Sequence, residues 1–208
     1  VQGGTKIKLN IDIMLDSLKF NLNERPRLVH RIDKQTSGLL IIARTLQSSK
    51  HIGNLFKRRL IDKVYLAIVY GCPKYKKAKI MLSEGEKKQI ESLTFFKVLN
   101  SKNNISFLVI KPITGRKHQI RNHLNYIGNQ IIGETKFKND NPTIKPTTKY
   151  LHLHAFSLRF VDQNGEEKYF SAPLPEHFKN TIERYGFKEY LSKQDLEFID
   201  IDNYKLIC

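Results

Sequence analysis

Asp33 stands among cations in His30-Arg31-Ile32-Asp33-Lys34-Gln35-Thr36-Ser37-Gly38, at the lip of the apolar run Leu39 to Ala43. A carboxylate in a polar loop ahead of a buried segment is accessible yet firmly anchored. Arg31 and Lys34 beside it can hold phosphates. Such a carboxylate is suited to nucleophilic attack; it is equally suited to capping the turn that runs to Gly38, a common use of Asp. Both readings stand at this level. A second cluster runs from Thr114 through Gly115, Arg116, Lys117, His118, Gln119, Ile120 and Arg121 to Leu124. Gly115 lets backbone approach a ligand closely. Arg116, Lys117 and the free N–H groups of a first helical turn form an anion site there. Arg121 follows Ile120 of an apolar stripe, so its guanidinium starts from a buried position and can reach an internal carboxylate. A solvated basic helix face is the alternative. Histidines do not combine into a metal site. His118 and His123 are five apart and do not share a helical face, and there is no His-Glu-x-x-His pattern. His152 and His154 share a strand face without a third ligand and read as satisfied core or ligand-facing residues. With no Walker loop and no G-x-S-x-G elbow either, neither metal nor cofactor is expected.

The rest of the composition indicates the kind of partner. Thirty-six Lys and Arg against 20 Asp and Glu leave a formal charge of +16 over 208 residues. A polyanion is the matching partner, and nucleic acid first among polyanions, because neutralising phosphates releases condensed counterions. Lys-rich solvated faces are the plainer reading of the same charge. Cys72 and Cys208 are too few and too distant for a disulfide framework, which suits a reducing compartment, either a bacterial cytoplasm or an organelle matrix. The longest apolar run, Val64 to Tyr70, is far short of a membrane span, so no membrane partner is expected.

These residues need elements to hold them. Ile11, Leu15, Leu18 and Leu22 recur at helical spacing and predict a helix over 11–23 ending before Pro26. Gly38 to Ala43 reads as a buried strand. A second helix is expected over 47–59, with Thr45 as N-cap and Leu55, Phe56 and Leu60 inward. Lys57, Arg58 and Arg59 on its other side are either solvated or phosphate contacts. Alternation over 63–71 puts Tyr65, Ala67 and Val69 on one strand face and Val64, Leu66, Ile68 and Tyr70 on the other. A basic connection over 74–79 leads to strands near 90–99 and 105–111. Thr114-Gly115 opens a third helix with Ile120, Leu124 and Ile127 inward and Gly128 as its stop. Strands over 151–160 and 166–171 flank the turn signal Asn164-Gly165. A last helix runs from Pro175 to Tyr185, with Gly186 past its end. No linker or repeat divides the chain, so one α+β domain over 1–208, on a mixed, mostly antiparallel sheet flanked by helices, is expected.

Four blocks in order, "HRIDKQTSGLLIIARTLQSSK", "KVYLAIVYG", "TGRKHQIRNHLNYIGNQIIGE" and "LHLHAFSLRF", resemble those of the RluA-type RNA pseudouridine synthases. The stretch from Arg27 to Asp33, with Gly3-Gly4 upstream, resembles the RluC-like large-subunit rRNA branch. The resemblance implies the pseudouridine synthase catalytic fold. It also implies isomerisation of uridine to pseudouridine in 23S rRNA by a monomer without cofactor or metal. Asp33 matches the aspartate nucleophile, Tyr65 the tyrosine packed on uracil and a candidate base for the C5 proton, and Arg121 the basic residue paired with the aspartate. Arg31 matches an arginine that takes the place of the flipped base, and Arg116, Lys117 and His118 fall where substrate is bound. Lys117 stands where Thr is frequent in the family, and Glu134 where Asp is frequent. The family's initial Asn-Lys-Pro-x-Gly strand and the S4 domain of many members are absent, so a longer parent protein is expected. The alternatives are a tRNA-modifying member, or an idle RNA-binding or ribosome-assembly module that keeps the fold. Presence of Asp33, Tyr65 and Arg121 together argues against idleness. A nuclease-like hydrolase lacks its metal-binding carboxylate cluster.

Overall fold

The computed structural model describes residues 10–84, 90–137, 148–187, 191–198 and 201–208; the Gly3-Gly4 pair noted above lies outside them. In chain order the elements are α1 (Ile11–Met14), β1 (Arg27–Leu28), β2 (Ser37–Gly38), β3 (Ile42–Ala43), α2 (Leu46–Lys57), β4 (Asp62–Tyr70), β5 (Lys77–Glu84), β6 (Ile90–Lys102), β7 (Ile105–Pro112), α3 (Gln119–Tyr126), β8 (Leu153–Val161), β9 (Glu167–Ser171), α4 (Glu176–Tyr185), α5 (Lys193–Leu196) and β10 (Lys205–Ile207). Among the described residues one large sheet orders its strands β10-β5-β6-β7-β4-β8-β2, with β9 beside β8. Only the β10–β5 and β2–β8 pairings in it are parallel. The α+β class and the mixed, mostly antiparallel sheet are thus as expected. Among the described residues, no helix is long and apolar enough to cross a membrane.

β4 lies inside the sheet, and its alternation divides the core. Ala67 and Val69 pack with Ile120 and Leu124 of α3, and Tyr65 joins this side. Leu66 and Ile68 pack with Phe178 and Ile182 of α4 on the other. The period of two therefore settles which face of the sheet carries the candidate site. Next to Tyr65 the β4–β8 register slips, Val64 pairing with Ser157 and Tyr65 with Ala155. A bulge of this kind re-aims the side chains beside it.

Several expected elements differ. The helix over 11–23 is only α1 followed by a 3-10 turn to Leu18, with Leu15 buried and Leu22 exposed. Arg25 is bonded to Asp16 and to the Asp12 carbonyl, so polar contacts hold the segment where a long apolar stripe was anticipated. The single strand expected over Gly38 to Ala43 does not form: Gly38 ends β2, which starts at Ser37, and Ile42-Ala43 form β3 in a different sheet. Leu39 and Ile41 between them pack on Ile52, Ile61, Leu158 and Phe160. β2 ends at Gly38 because the strand meets β8 there: with φ of +104°, a Cβ on Gly38 would lie 2.2 Å from the Ala155 carbonyl oxygen, and no other residue fits. The second helix forms with Thr45 as N-cap in a capping box with Ser48. Leu55 and Phe56 face inward, but Leu60 is 50% exposed, because the chain turns away after Arg58. The basic connection shrinks, as β5 begins at Lys77. β6 and β7 extend further than expected, to a two-residue hairpin turn at Asn103-Asn104, both at positive φ.

His123 and His152 are buried, and burial holds both imidazoles down at about 4, the neighbouring His177 adding to the effect at His152. Each is therefore neutral when folded, while the unfolded chain binds a proton below about 6.5. The stability they confer is complete above pH 6.5 and is lost as pH falls from there toward 4, at roughly 1.4 kcal/mol per pH unit for each. Urea unfolding at pH 7 and pH 5 is expected to show this loss, and replacement of both histidines by uncharged residues is expected to remove their share of it, leaving that of the likewise buried His30.

Candidate active site

The motif around Asp33 is held from both sides. Upstream, the His30 ring stacks on Phe56 of α2 at 4.5 Å, and its Nε2 accepts the Ile41 N–H at 2.7 Å. Burial, with the charge of Lys63, keeps this imidazole down at about 4, hence a neutral acceptor. Downstream, Leu39 N–H donates to the Ala155 carbonyl at 2.9 Å, and Ser37 Oγ meets His154 Nδ1 at 2.8 Å. The turn between them is closed by backbone, Thr36 N–H donating to the Asp33 carbonyl at 3.0 Å. The Asp33 carboxylate faces His118 and Arg121 instead of capping that turn.

His118 Nδ1 lies 2.9 Å from Asp33 Oδ2 and 3.2 Å from an Arg121 nitrogen. Arg121 can only donate and the carboxylate can only accept, so the Nδ1 proton serves Asp33. His118 reaches this place from a left-handed backbone, φ 56°, at the head of α3. The helix therefore starts at Gln119, not at Thr114-Gly115. Gln119 clasps that connection: its Oε1 accepts from Thr114 Oγ1 and the Arg116 N–H, and its Nε2 donates to the Leu93 carbonyl and Thr94 Oγ1.

Arg121 is 3.5 Å from Asp33, but its main partner is Glu134, reached through two hydrogen bonds of 2.6 Å each. The two side chains are 5% and 1% exposed. Burial alone would lower the Arg121 guanidinium; the Glu134 bonds outweigh it and raise it. Burial alone would raise the Glu134 carboxyl; Arg121 and the Lys136 N–H at 2.7 Å outweigh it and lower it. Glu134 is thus a buried buttress that fixes a fully charged guanidinium beside Asp33.

Asp33, Tyr65, Arg31, Arg116, Lys117 and His118 all line one cavity of about 520 Å³, and Arg121 lies behind Asp33. The structure brings together the seven residues that the resemblance placed at the site, and Lys57 and Arg59 line the same cavity while Arg58 does not. Burial, then the charge of Asp33, pushes the Tyr65 hydroxyl up to about 12. At neutral pH it is therefore a phenol, offering a flat ring and an O–H donor; to act as a base it must first give up its own proton. Thr36 also lines the cavity, 7% exposed, with no hydrogen-bond partner for its hydroxyl among the described residues. Glu134, Gln119, Thr36 and Lys63 were not singled out as site residues from the sequence; only the polar types inside the third block hinted at the first two. Among the described residues, no group of three or more His, Cys, Asp or Glu could hold a metal ion.

Residues 1–126 match the RNA pseudouridylate synthase family. The chain belongs to that family. Within it the sequence is RluA-type and RluC-like. It is 38% identical over 196 residues to "Ribosomal large subunit pseudouridine synthase C" of Rickettsia conorii, covering 87% of this chain and 64% of that protein. It is 33% identical over 181 residues to "Ribosomal large subunit pseudouridine synthase D" of Borreliella burgdorferi, covering 79% and 54%. The chain thus spans less than two thirds of the length of the curated relatives it matches. The solved "Human RNA Pseudouridylate Synthase Domain Containing 4" shares the fold, with a TM-score of 0.71 at 23% identity over 84% of this chain and 81% of that one.

Proposed function

We propose that this chain isomerises uridine to pseudouridine in structured RNA, the 23S large-subunit rRNA being the substrate. The observation that carries the reading is the Asp33 carboxylate, held by His118 and Arg121, in a cavity that Tyr65 and six Lys and Arg side chains share. A uridine must leave its stack before its sugar can be reached, and the few kcal/mol this costs is recovered through pocket contacts and cation–phosphate pairs. Uracil packs on the Tyr65 ring, and the Thr36 hydroxyl is available to hydrogen-bond the nucleoside. Arg31, Arg116 and Lys117, all exposed at the cavity, take up the RNA backbone and the gap left by the flipped base. In the reaction the N1–C1′ bond breaks, the C5–C1′ bond forms, and the C5 proton is lost while N1 gains one. Asp33 is the nucleophile, at the sugar or at the ring.

Residues 1–208 act here as one catalytic domain. The relatives named for the ribosomal large subunit favour rRNA over tRNA. Because the product has the mass of the substrate, the test follows the leaving proton. Incubation with large-subunit rRNA tritiated at uridine C5 is expected to release tritium to water in step with pseudouridine formation. RNA binding without any release would make the chain an idle binding module instead.

A further inference from the structure

Three helices in this chain end in the same way. After α3, Gly128 N–H bonds the Asn125 carbonyl and Asn129 N–H the Leu124 carbonyl; after α4, Gly186 and Phe187 do the same with Glu183 and Ile182. After α2, Arg59 N–H bonds the Phe56 carbonyl and Leu60 N–H the Leu55 carbonyl. This double bond pattern requires a left-handed residue at its first position, for which glycine is the unstrained choice. Gly128 and Gly186 supply it at φ 76° and 64°, whereas α2 places Arg59 there at φ 59°. The one ending built on a strained residue is the one that lines the cavity beside Asp33.

Lys63 stands next to it. It lines the same cavity, is partly buried, and lies two residues before Tyr65 on β4, about 7 Å along the strand. Among the described residues neither Arg59 nor Lys63 is within ion-pair distance of a carboxylate. The adjacent Asp62 is engaged elsewhere, by Lys111 at 2.6 Å and Arg159 at 3.0 Å. Burial holds the Lys63 ammonium below its usual range, and the charges of Arg59 and Lys111 push the same way against that of Asp62. His30, also close, is neutral and brings no negative charge. A partly buried ammonium beside a guanidinium, with no acid for either, is costly unless an anion arrives.

We infer that Arg59 and Lys63 form a phosphate subsite, which grips the RNA phosphodiester adjoining the nucleotide stacked on Tyr65. The inference rests on the function proposed above and adds to it a second basic wall, built from α2 and β4, besides that of Arg116 and Lys117.

The test is fluorescence anisotropy of a labelled RNA hairpin with loop uridines, titrated with the chain over a range of salt. Arg59→Gly and Lys63→Gln are each expected to raise Kd about five- to tenfold at low salt and to lower the log–log salt slope by about 0.7 to 0.9. Arg59→Gly is also expected to raise Tm, by about 2–4 °C, because glycine relieves the left-handed strain. Weaker binding by a more stable variant cannot be a folding defect. Lys63→Arg keeps the charge and should bind as the parent does. A methylphosphonate next to the target uridine should weaken binding by the parent chain and leave binding by the Arg59→Gly, Lys63→Gln double variant unchanged. If both variants keep the parent's Kd and slope while the parent binds steeply with salt and releases tritium, the subsite is wrong and the isomerase reading stands. If the parent shows no salt-dependent RNA binding, both fall together.

Discussion

Asp33→Asn is expected to abolish tritium release, by at least about a thousandfold, and to leave RNA binding equal or tighter. The amide keeps the shape of the carboxylate and can still meet His118 and Arg121, so the pocket stays formed around it. What it loses is the anionic oxygen that the proposed mechanism uses for attack, and nucleophile deletions remove most of the chemical rate. Binding moves the other way for an electrostatic reason. The cavity holds Arg31, Lys57, Arg59, Lys63, Arg116 and Lys117 around a single carboxylate, so neutralising Asp33 raises the potential that phosphates meet. Anisotropy and tritium counting on the same preparation separate the two effects. Release within tenfold of the parent would remove Asp33 from the nucleophile's role. A matching loss of affinity would mean that the substitution had disturbed the pocket as a whole.

The role of Asp33 in its loop could not be decided from local sequence, since an Asp before Lys34-Gln35-Thr36-Ser37-Gly38 caps turns as readily as it attacks sugars. The distinction lies in non-local partners: the backbone closes the turn, and a residue 88 positions further on, Arg121, engages the carboxylate. Tyr65 was easier to read because β4 has a clean period of two, and the face carrying Ala67 and Val69 necessarily carried it toward α3. The short pieces around the site were not legible. β2 and β3 exist because two different neighbours act on this stretch: β8 captures Ser37-Gly38 just ahead of the apolar run, and β1 captures Ile42-Ala43 at its end. α3 starts late because Gln119 fastens the preceding turn to β6 through side-chain bonds, a tertiary contact with no periodicity to reveal it. β10 and α5 were missed because each is only three or four residues long: β10 exists through its pairing with β5, and α5, though it carries a local Ser192–Asp195 capping box, is fastened by Lys97 of β6 donating to the Gln194 and Glu197 carbonyls. The Arg59–Lys63 pair shows a further limit, because a left-handed backbone at an arginine carries no signature in composition, and the run Lys57-Arg58-Arg59 reads equally well as solvated surface.

Glu134 is the residue whose importance grew most, and its removal carries the largest structural effect. Glu134→Ala leaves a guanidinium that is 5% exposed without its bidentate partner, and breaking a buried pair in this way destabilises by about 3–5 kcal/mol. Glu134→Gln preserves volume and one acceptor oxygen and is expected to lose about half as much. Both should also reduce tritium release beyond what loss of folded protein explains, since Arg121 is then free to swing away from Asp33. Glu134→Asp keeps the charge on a shorter arm and is expected to lose less than either. Because the Glu134 carboxyl is held below its usual value of 4.5, its contribution is complete above that pH and disappears as pH falls through the lowered value. The stability gap between the parent and Glu134→Gln should therefore be widest at neutral pH and close in acid, where the parent's own carboxyl is protonated and resembles the amide. Urea unfolding at pH 7, 5 and 3 measures that gap. A gap that stayed constant across the three would assign the effect to packing rather than to charge, and would leave Arg121 with no electrostatic reason to stay beside Asp33.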